Sequence, residues 1–420
     1  MREALRLIAD PTEVIPLLTL FVSCVLAKTA LYSHQKKMPS ILIRHCRAIC
    51  ADHVLPDATI LIKDGLIKEI GADAEIRSDA TTVIDAQGQY LAPGFVDVHC
   101  HGDGTNRFFD DPTTVSRNLL QQGTTTVLAT LGYSDMKSGN IDRQLRDFQQ
   151  TTQSLETSNI AGIHMEGPYV NPKYGAQTNR GVIKNPDANE YRTWLEEFGD
   201  LIKWWTCAPE LPGAIPFIET AVQNGGVVGA GHSEATPEQL KAAIDAGLRV
   251  VTHWSNATGN PIAAQYKGTR YPGIDEAALV FDELTAEIIP DEHGLHVHPL
   301  MAQLLFKAKG PERIMIITDA GYSRDDDPVE TDKPCDVSID GNGDLAGSRL
   351  TMSGACRNFQ RFTNCSWPEL FRMAALNPAA LLGLDHEIGS LEPGNRADLI
   401  LFDHDLSVSK VCLRGVFTEI

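Results

Sequence analysis

Histidine and acidic residues stand at the ends of five short apolar segments that lie far apart in this chain of 420 residues. They are His99, His101, Glu166, His232, His253 and Asp319. Imidazole nitrogens and carboxylate oxygens bind divalent metals and also move protons in catalysis. Each residue alone has an ordinary interpretation, as a hydrogen-bonded core histidine, an ion-paired carboxylate or a helix cap. Their recurrence at five segment ends favours one shared metal site.

The types of ligand indicate which metals such a site would take. His99 and His101 are two positions apart on an extended segment, so their rings lie on the same side of the chain. Nitrogen and oxygen ligands without a thiolate suit zinc, iron, manganese or cobalt better than copper or an iron–sulfur cluster. We expect one or two divalent ions per subunit, zinc or iron in the first place. His164 is interpreted as a core histidine, with support of a metal ligand as the alternative.

From residue 95 onward, apolar segments alternate with longer helical stretches. The apolar segments are 95–99, 125–131, 162–166, 202–208, 227–231, 250–253, 286–289 and 314–318. Eight strands that alternate with helices are typical of a (β/α)₈ barrel of the TIM type. Active sites of such barrels lie at the carboxyl ends of the strands. The predicted barrel would therefore bring the six side chains together.

Both ends of the chain have strand character instead. Segments before residue 92 are interrupted by Asp64-Gly65 and Gly71, as in β-hairpins, and strand character returns at 389–402. We predict an α/β chain in which a small β-sandwich domain built from both chain ends accompanies the catalytic barrel. The predicted boundaries are 38–92 and 385–420 for the sandwich and 93–384 for the barrel.

The first residues fit neither domain. Residues 14–27 are almost wholly apolar, but they are too short for a membrane span. They follow the acidic residues Glu3 and Asp10 instead of the positive charges that lead a secretory signal. We interpret residues 1–37 as a poorly ordered extension or a start codon assigned too early, since Met38 directly precedes the first predicted strand. A signal or anchor is the alternative.

Composition argues against several classes of function. With 55 acidic and 36 basic side chains, the formal charge of −19 argues against nucleic-acid binding. The nine cysteines are scattered and include no C-x-x-C pair, which indicates reduced thiols in the cytoplasm and no structural zinc module. We expect neither nucleic acid nor membrane as a partner.

Six motifs surround the candidate residues and follow the order of the predicted strands. They are 93–102, 164–168, 231–233, 252–257, 294–299 and 318–320. As a set they resemble the motifs of the N-acetylglucosamine-6-phosphate deacetylases, in the amidohydrolase superfamily, and the similarity extends over about residues 40–410. This resemblance implies metal-dependent hydrolysis of N-acetylglucosamine 6-phosphate to glucosamine 6-phosphate and acetate, in amino-sugar catabolism.

The resemblance also implies a role for each site residue. The implied ligands are Glu166, His232 and His253 for one metal and His99 and His101 for a second, with Glu166 bridging the two. Asp319 would take a proton from the attacking water and later deliver it to the departing amine.

Substrate contacts are implied as well. They are Gln177, Asn256, Ala257, Arg270 and His296. Asn256, Ala257 and Arg270 would hold the sugar phosphate, and His296 would reach into the active site of a neighbouring subunit, which implies a homodimer.

Two departures from the family pattern leave the substrate open. Gln177 replaces a histidine that is usual in the family, and residues 258–269 form a longer segment than usual. Another N-acetyl hexosamine phosphate, such as the galactosamine epimer, or an unphosphorylated N-acyl compound is therefore the alternative substrate. A cyclic-amide hydrolase is disfavoured because Glu166 stands where those enzymes use a modified lysine. A catalytically inactive binding protein is a further alternative, against which the complete ligand set and Asp319 argue.

Overall fold

The structure, a computed structural model, describes most of the chain from residue 40 onward. The described residues are 40–72, 76, 80–137, 139–155, 158–175, 180–262, 266–322, 336–339 and 343–418. The interpretation of residues 1–37 and the position of Gln177 lie outside them. Within the described part, no helix is long and apolar enough to span a membrane.

The strands of the described chain form two sheets. In chain order they are β1 (Ile41–Ile49), β2 (Val54–Lys63), β3 (Leu66–Ala72), β4 (Thr82–Asp85), β5 (Tyr90–Pro93), β6 (Phe95–Gly104), β7 (Thr124–Gly132), β8 (Ile160–Glu166), β9 (Ile202–Cys207), β10 (Val227–Ala230), β11 (Val250–Val251), β12 (Thr285–Ile288), β13 (Ile314–Ile316), β14 (Ala320–Tyr322), β15 (Val337–Ile339), β16 (Leu345–Ser348), β17 (Leu399–Phe402), β18 (Val408–Leu413) and β19 (Val416–Thr418).

Helices follow the strands of the second sheet. They are α1 (Pro112–Gln121), α2 (Ile141–Gln153), α3 (Ala188–Phe198), α4 (Ala214–Gln223), α5 (Pro237–Asp245), α6 (Ile274–Val280), α7 (Pro299–Lys309), α8 (Met352–Thr363), α9 (Trp367–Phe371) and α10 (Asn377–Leu381). Short 3₁₀ segments occupy Arg180–Val182 and Pro311–Arg313, and a π-helical turn, Arg372–Leu376, joins α9 to α10.

The second sheet is the predicted barrel. Strands β6 to β13 are neighbours in chain order, and every adjacent pair is parallel. The chain that leaves β13 continues through Asp319 into β14, which pairs in parallel with β6 and places Ala320 opposite Cys100. All eight predicted segments are strands, and the predicted fold class, a TIM-type barrel with a separate sheet, is confirmed.

The first sheet combines the two ends of the described chain. Its order is β19-β18-β17-β5-β1-β2-β3, with β4 paired to β1. The predicted turn at Asp64-Gly65 connects β2 to β3, and both residues have positive φ, as the tight turn of a hairpin requires. Antiparallel pairing of β5 with β17 places Leu91 opposite Leu401 and joins the early strands to the late ones.

Aromatic side chains fasten the helices to the outside of the barrel. Trp205 of β9 is fully buried and stacks with Trp194 of α3 at 6.3 Å between ring centroids. Its ring also meets Phe217 of α4 edge to face at 5.2 Å. Such pairs stabilise a fold by about 0.5–1.5 kcal/mol each beyond the area they bury. These contacts hold α3 and α4 against β9.

Candidate metal centre and active site

Glu166 is the centre of the group of candidate residues. It ends β8, and its Oε1 lies 2.8 Å from His232 Nε2, 3.3 Å from His253 Nε2 and 3.4 Å from His99 Nε2. Its other oxygen, Oε2, lies 3.3 Å from His101 Nε2. One buried carboxylate therefore faces four histidine rings from three other strand ends.

The ligand atoms form two groups that share this carboxylate. One consists of His99, His101 and Glu166, the other of Glu166, His232 and His253, and within each group the atoms lie within 4.8 Å of one another. Each group could hold one metal ion.

Three features of the site suit a divalent cation. The donors are imidazole and carboxylate, which bind such ions well. His99 Nε2 is buried and makes no hydrogen bond with any described residue. Gly132 keeps the space beside His101 and Glu166 open, because a β-carbon there would lie 2.6 Å from His101 Cε1 and 3.1 Å from Glu166 Oε2.

The charges of the site also favour a cation. Burial alone would lower the pKa of His99, but the charges of Asp319 and Glu166 raise it well above its ordinary value. Against the same effect of burial, hydrogen bonds to Asp319 and Glu166 raise the pKa of His101 to about 10. The two carboxylates thus create a negative potential that attracts protons to the rings. A metal ion would satisfy the same potential.

Asp319 lies beside the group formed by His99 and His101. Its Oδ1 is 3.1 Å from His101 Nε2 and 3.5 Å from His99 Nε2. Burial would raise the pKa of Asp319, but the charge of His99 and the hydrogen bond to His101 outweigh burial and lower the pKa to about 2. The carboxylate is therefore ionised at neutral pH and can accept a proton.

The backbone is strained where three of these residues leave their strands. His232, His253 and Asp319 have φ values of 47°, 33° and 48°, a region that costs about 1–3 kcal/mol for residues other than glycine. Hydrogen bonds hold each in place: His232 O accepts from Asn171 N, His253 O accepts from Asn256 N and Asp319 N donates to His99 O, all at 2.9 Å. The strain turns the side chains toward the centre of the site.

The outer nitrogen of each candidate ligand ring faces an oxygen. His232 Nδ1 lies 3.3 Å from the Tyr174 carbonyl, and His253 Nδ1 lies 3.0 Å from the Asn256 carbonyl. Because a carbonyl oxygen only accepts, each Nδ1 carries the proton and donates it. Each Nε2 is then left with a lone pair directed at the centre of the site.

Carboxylates face the outer nitrogens of the other two rings. His99 Nδ1 lies 3.2 Å from Glu287 Oε2. His101 Nδ1 lies 3.9 Å from Asp135 Oδ2.

His164 is a core histidine, as interpreted. Its Nδ1 donates to the Val98 carbonyl at 3.0 Å, and its Nε2 lies 2.9 Å from Thr206 Oγ1. Burial lowers the pKa of His164 well below its ordinary value, so the ring is neutral. The bond to Val98 supports the strand immediately before His99.

The residues that the resemblance implies as substrate contacts do not all lie beside the ligand groups. Asn256 and Ala257 directly follow the His253 turn, and Ala257 has a φ of 52°. Arg270 is 87% exposed and pairs with Glu276 at 2.7 Å. It lines a cavity of about 390 Å³ with Asn260 and other residues of the same loop. In this structure Arg270 therefore contacts no residue of the two ligand groups.

His296 is the residue expected to reach into a neighbouring subunit. Its side chain is only 1% exposed in its own subunit, because Asp291 binds both its backbone N–H at 2.7 Å and its Nδ1 at 3.2 Å. The ring is thus packed inside its own subunit in this structure, and its contact with a neighbouring subunit stays a prediction. Its Nε2 is buried and has no hydrogen-bond partner among the described residues.

Three supporting residues were not identified in the sequence. Glu287 lies inside β12 with no exposed surface. Asp97 Oδ1 accepts from His99 N at 3.2 Å, and its Oδ2 accepts from Thr318 Oγ1 at 2.6 Å. Both are carboxylates within apolar segments, a costly placement that could have marked them. Gly132 carried no such signal, since its role is to leave space.

Comparison with known proteins finds similarity over most of the chain. Residues 90–417 match the amidohydrolase family. The N-acetylglucosamine-6-phosphate deacetylase of Bacillus subtilis (strain 168) is 31% identical over 391 residues, which cover 90% of this chain and 96% of that protein. The N-acetylgalactosamine-6-phosphate deacetylase of Escherichia coli O157:H7 is 30% identical over 387 residues, 89% and 98% of the two chains. The crystal structure of N-acetylglucosamine-6-phosphate deacetylase from Pasteurella multocida has a TM-score of 0.79 and 27% identity, and the match covers 90% of this chain and 99% of that one.

Proposed function

Since this chain belongs to the amidohydrolase family, we propose that it hydrolyses the N-acetyl group of N-acetylglucosamine 6-phosphate, releasing glucosamine 6-phosphate and acetate. The family and the deacetylase relatives make it a hydrolase of amide bonds. The observation that carries the proposal is the position of Glu166 between two pairs of histidines, with the ionised Asp319 beside one pair.

The two ligand groups would hold two divalent ions bridged by Glu166, with zinc or iron as the proposed metals. Metal bound there would lower the pKa of water toward neutrality and polarise the acetyl carbonyl. The remaining steps belong to side chains of this protein.

Asp319 would move the proton. An ionised Oδ1 held 3.1 Å from His101 Nε2 is fixed in position to accept a proton from the attacking water. The same oxygen would then deliver that proton to the nitrogen of the breaking amide bond, because an amine leaves readily only when it is protonated. One carboxylate would thus serve both proton transfers.

Side chains near the rim would hold the sugar phosphate. Asn256 and the backbone of Ala257 follow a metal-ligand turn directly, which places them next to the centre. Arg270 would bind the phosphate after release from Glu276, since a guanidinium pairs well with phosphate oxygens. Gln177 would contact the sugar in place of the usual histidine. His296, predicted to reach a neighbouring subunit, would hold substrate through its Nε2, which has no hydrogen-bond partner among the described residues.

An exposed apolar patch supports a homodimer. Leu295 precedes His296, and Leu300 and Leu304 lie four residues apart on α7, where they share one face. These leucines are 49%, 66% and 45% exposed. Clustered exposed leucines are unfavourable in water and are typical of protein interfaces. We propose that the dimer contact lies at this patch.

We also propose that the protein is located in the cytoplasm. The seven described cysteines are all free thiols, which supports this location.

Acetate release by the full-length chain tests the function directly. The protein is loaded with zinc or iron and offered N-acetylglucosamine 6-phosphate, its galactosamine epimer and both unphosphorylated sugars. Preference for the glucosamine phosphate would support the proposal. Metal binding without acetate release from any of them would identify a binding protein instead.

The galactosamine epimer is the second candidate substrate. The Escherichia coli relative named for that substrate is 30% identical to this chain, close to the value for the Bacillus subtilis protein. A higher kcat/KM for the galactosamine phosphate would assign the chain to that reaction.

A further inference from the structure

Glu287 forms a hydrogen bond to one residue of each ligand group. It belongs to β12 and has no exposed surface. A single oxygen, Oε2, lies 3.2 Å from Nδ1 of His99, which belongs to one group. The same oxygen accepts at 3.2 Å from the backbone N–H of His253, which belongs to the other. The carboxylate therefore links the two groups from behind.

The bond to His99 determines which nitrogen of that ring carries the proton. A carboxylate oxygen accepts, so Nδ1–H donates to Glu287 and Nε2 is the nitrogen left to bind a metal. Nε2 faces Glu166 Oε1 at 3.4 Å and Asp319 Oδ1 at 3.5 Å. Two carboxylates around this nitrogen call for a positive charge between them, carried by a proton on Nε2 or, in its place, by a metal ion. Glu287 thus prepares His99 as a metal ligand.

This support differs from that of the other rings. His232 and His253 donate their Nδ1 protons to neutral backbone carbonyls, those of Tyr174 and Asn256. A charged acceptor makes the ring a stronger electron donor at its other nitrogen. Among the described ligand rings, His99 alone has a carboxylate within hydrogen-bond distance of its outer nitrogen.

The bond to His253 acts on the backbone. His253 has a φ of 33°, and its own N–H is held by Glu287 Oε2. The next residue, Trp254, donates its N–H to the Glu287 carbonyl at 2.8 Å. The same residue of β12 therefore fixes a strained turn in one ligand group and the proton position in the other.

We propose that Glu287 is a positioning residue that fixes the His99 tautomer and so determines the metal affinity of the group formed by His99, His101 and Glu166. This inference rests on the proposed function, because it concerns the same metal centre. The group with His232 keeps its carbonyl contacts and depends on the Glu287 carboxylate only through one bond, the one to the backbone N–H of His253. Loss of the carboxylate should therefore weaken binding of the metal at His99 and His101 far more than binding of the other metal.

Zinc titration of metal-depleted protein tests this with Glu287→Gln, which keeps the size of the side chain and removes its charge. We expect wild type to bind two zinc ions, and the variant to bind one with similar affinity and the other about 10- to 100-fold more weakly. Glu190→Gln is the matched control, since Glu190 bonds to Tyr169 and Lys184 away from the ligands. Equal affinities at both positions in wild type and Glu287→Gln would overturn the inference.

A double substitution separates positioning from general loss of structure. In a His99→Ala background the contact is already gone, so adding Glu287→Gln should change the remaining zinc affinity by less than about threefold. A further tenfold loss in that background would overturn the inference. If Glu287→Gln fails to fold, Glu287→Asp is titrated in the same way, and unchanged affinity at both positions would overturn the inference. Wild-type protein that binds no zinc or iron would overturn the proposed function, and this inference with it.

Discussion

Gly132 and the His101 ring are in such close contact that no side chain fits between them. A β-carbon at Gly132 would lie 2.6 Å from His101 Cε1, well inside the contact distance of two carbon atoms. Gly132 ends β7 opposite Glu166 of β8, so the ring and the Glu166 carboxylate pack against bare backbone. The site depends on an absent side chain as well as on those present.

Gly132→Ala should displace His101 and weaken binding of a metal by His99, His101 and Glu166. We expect metal affinity of that group to fall by roughly 10- to 100-fold, a range typical of disturbed ligand support. Metal content after dialysis and kcat measure the effect. Gly181→Ala is the control, because a β-carbon at Gly181 meets no atom within 4 Å. Full metal content in Gly132→Ala would refute the steric argument.

Asp319→Asn should remove the proton carrier without disturbing the ligands. The amide has nearly the shape of the carboxylate, and the backbone bonds of residue 319 to His99 and Ser348 do not use the side chain. We expect two bound metal ions, an unchanged melting temperature and a kcat lower by about 10²- to 10⁴-fold. A variant within tenfold of wild-type kcat would show that another group carries the proton.

The apolar face of α7 should control assembly. Leu300→Asp with Leu304→Asp places two charges on the exposed patch, and we expect a dimer to become a monomer with its fold retained, since both side chains face solvent. Analytical ultracentrifugation gives the mass. Gln223→Asp, at an exposed position of α4, is the control for added charge. A doubly substituted protein that remains dimeric would place the interface elsewhere.

The barrel could be predicted from the sequence because each strand is a short apolar run and most of these runs end in a residue with chemistry. The same logic identified Glu166, His232 and His253. It missed Glu287, which lies within a run and not at its end, and whose two partners come from β6 and from the turn after β11. Spacing along the chain does not reveal such partners.

His296 shows a different limit of the sequence. Its motif indicated a substrate contact, but the direction of the ring depends on Asp291, five residues earlier, which binds the backbone and the ring together. A hydrogen-bonded turn of that kind is a property of folded geometry. The motif therefore identified the residue but not the hydrogen bonds that direct its ring.

Arg270→Ala should separate phosphate binding from the chemistry. If Arg270 binds phosphate, its loss removes a charge-assisted contact of about 1.5–3 kcal/mol, so KM for the phosphorylated sugar should rise by roughly 10- to 100-fold while kcat changes little. Activity on the unphosphorylated sugar should be unaffected, which makes that sugar the internal control. Steady-state kinetics on both substrates measure the difference. Glu276→Gln weakens the partner that holds Arg270 at 2.7 Å and should lower KM for the phosphate, because the guanidinium is released more easily. Equal losses on both sugars in Arg270→Ala would mean that the arginine supports the loop that lines the cavity and does not bind the phosphate.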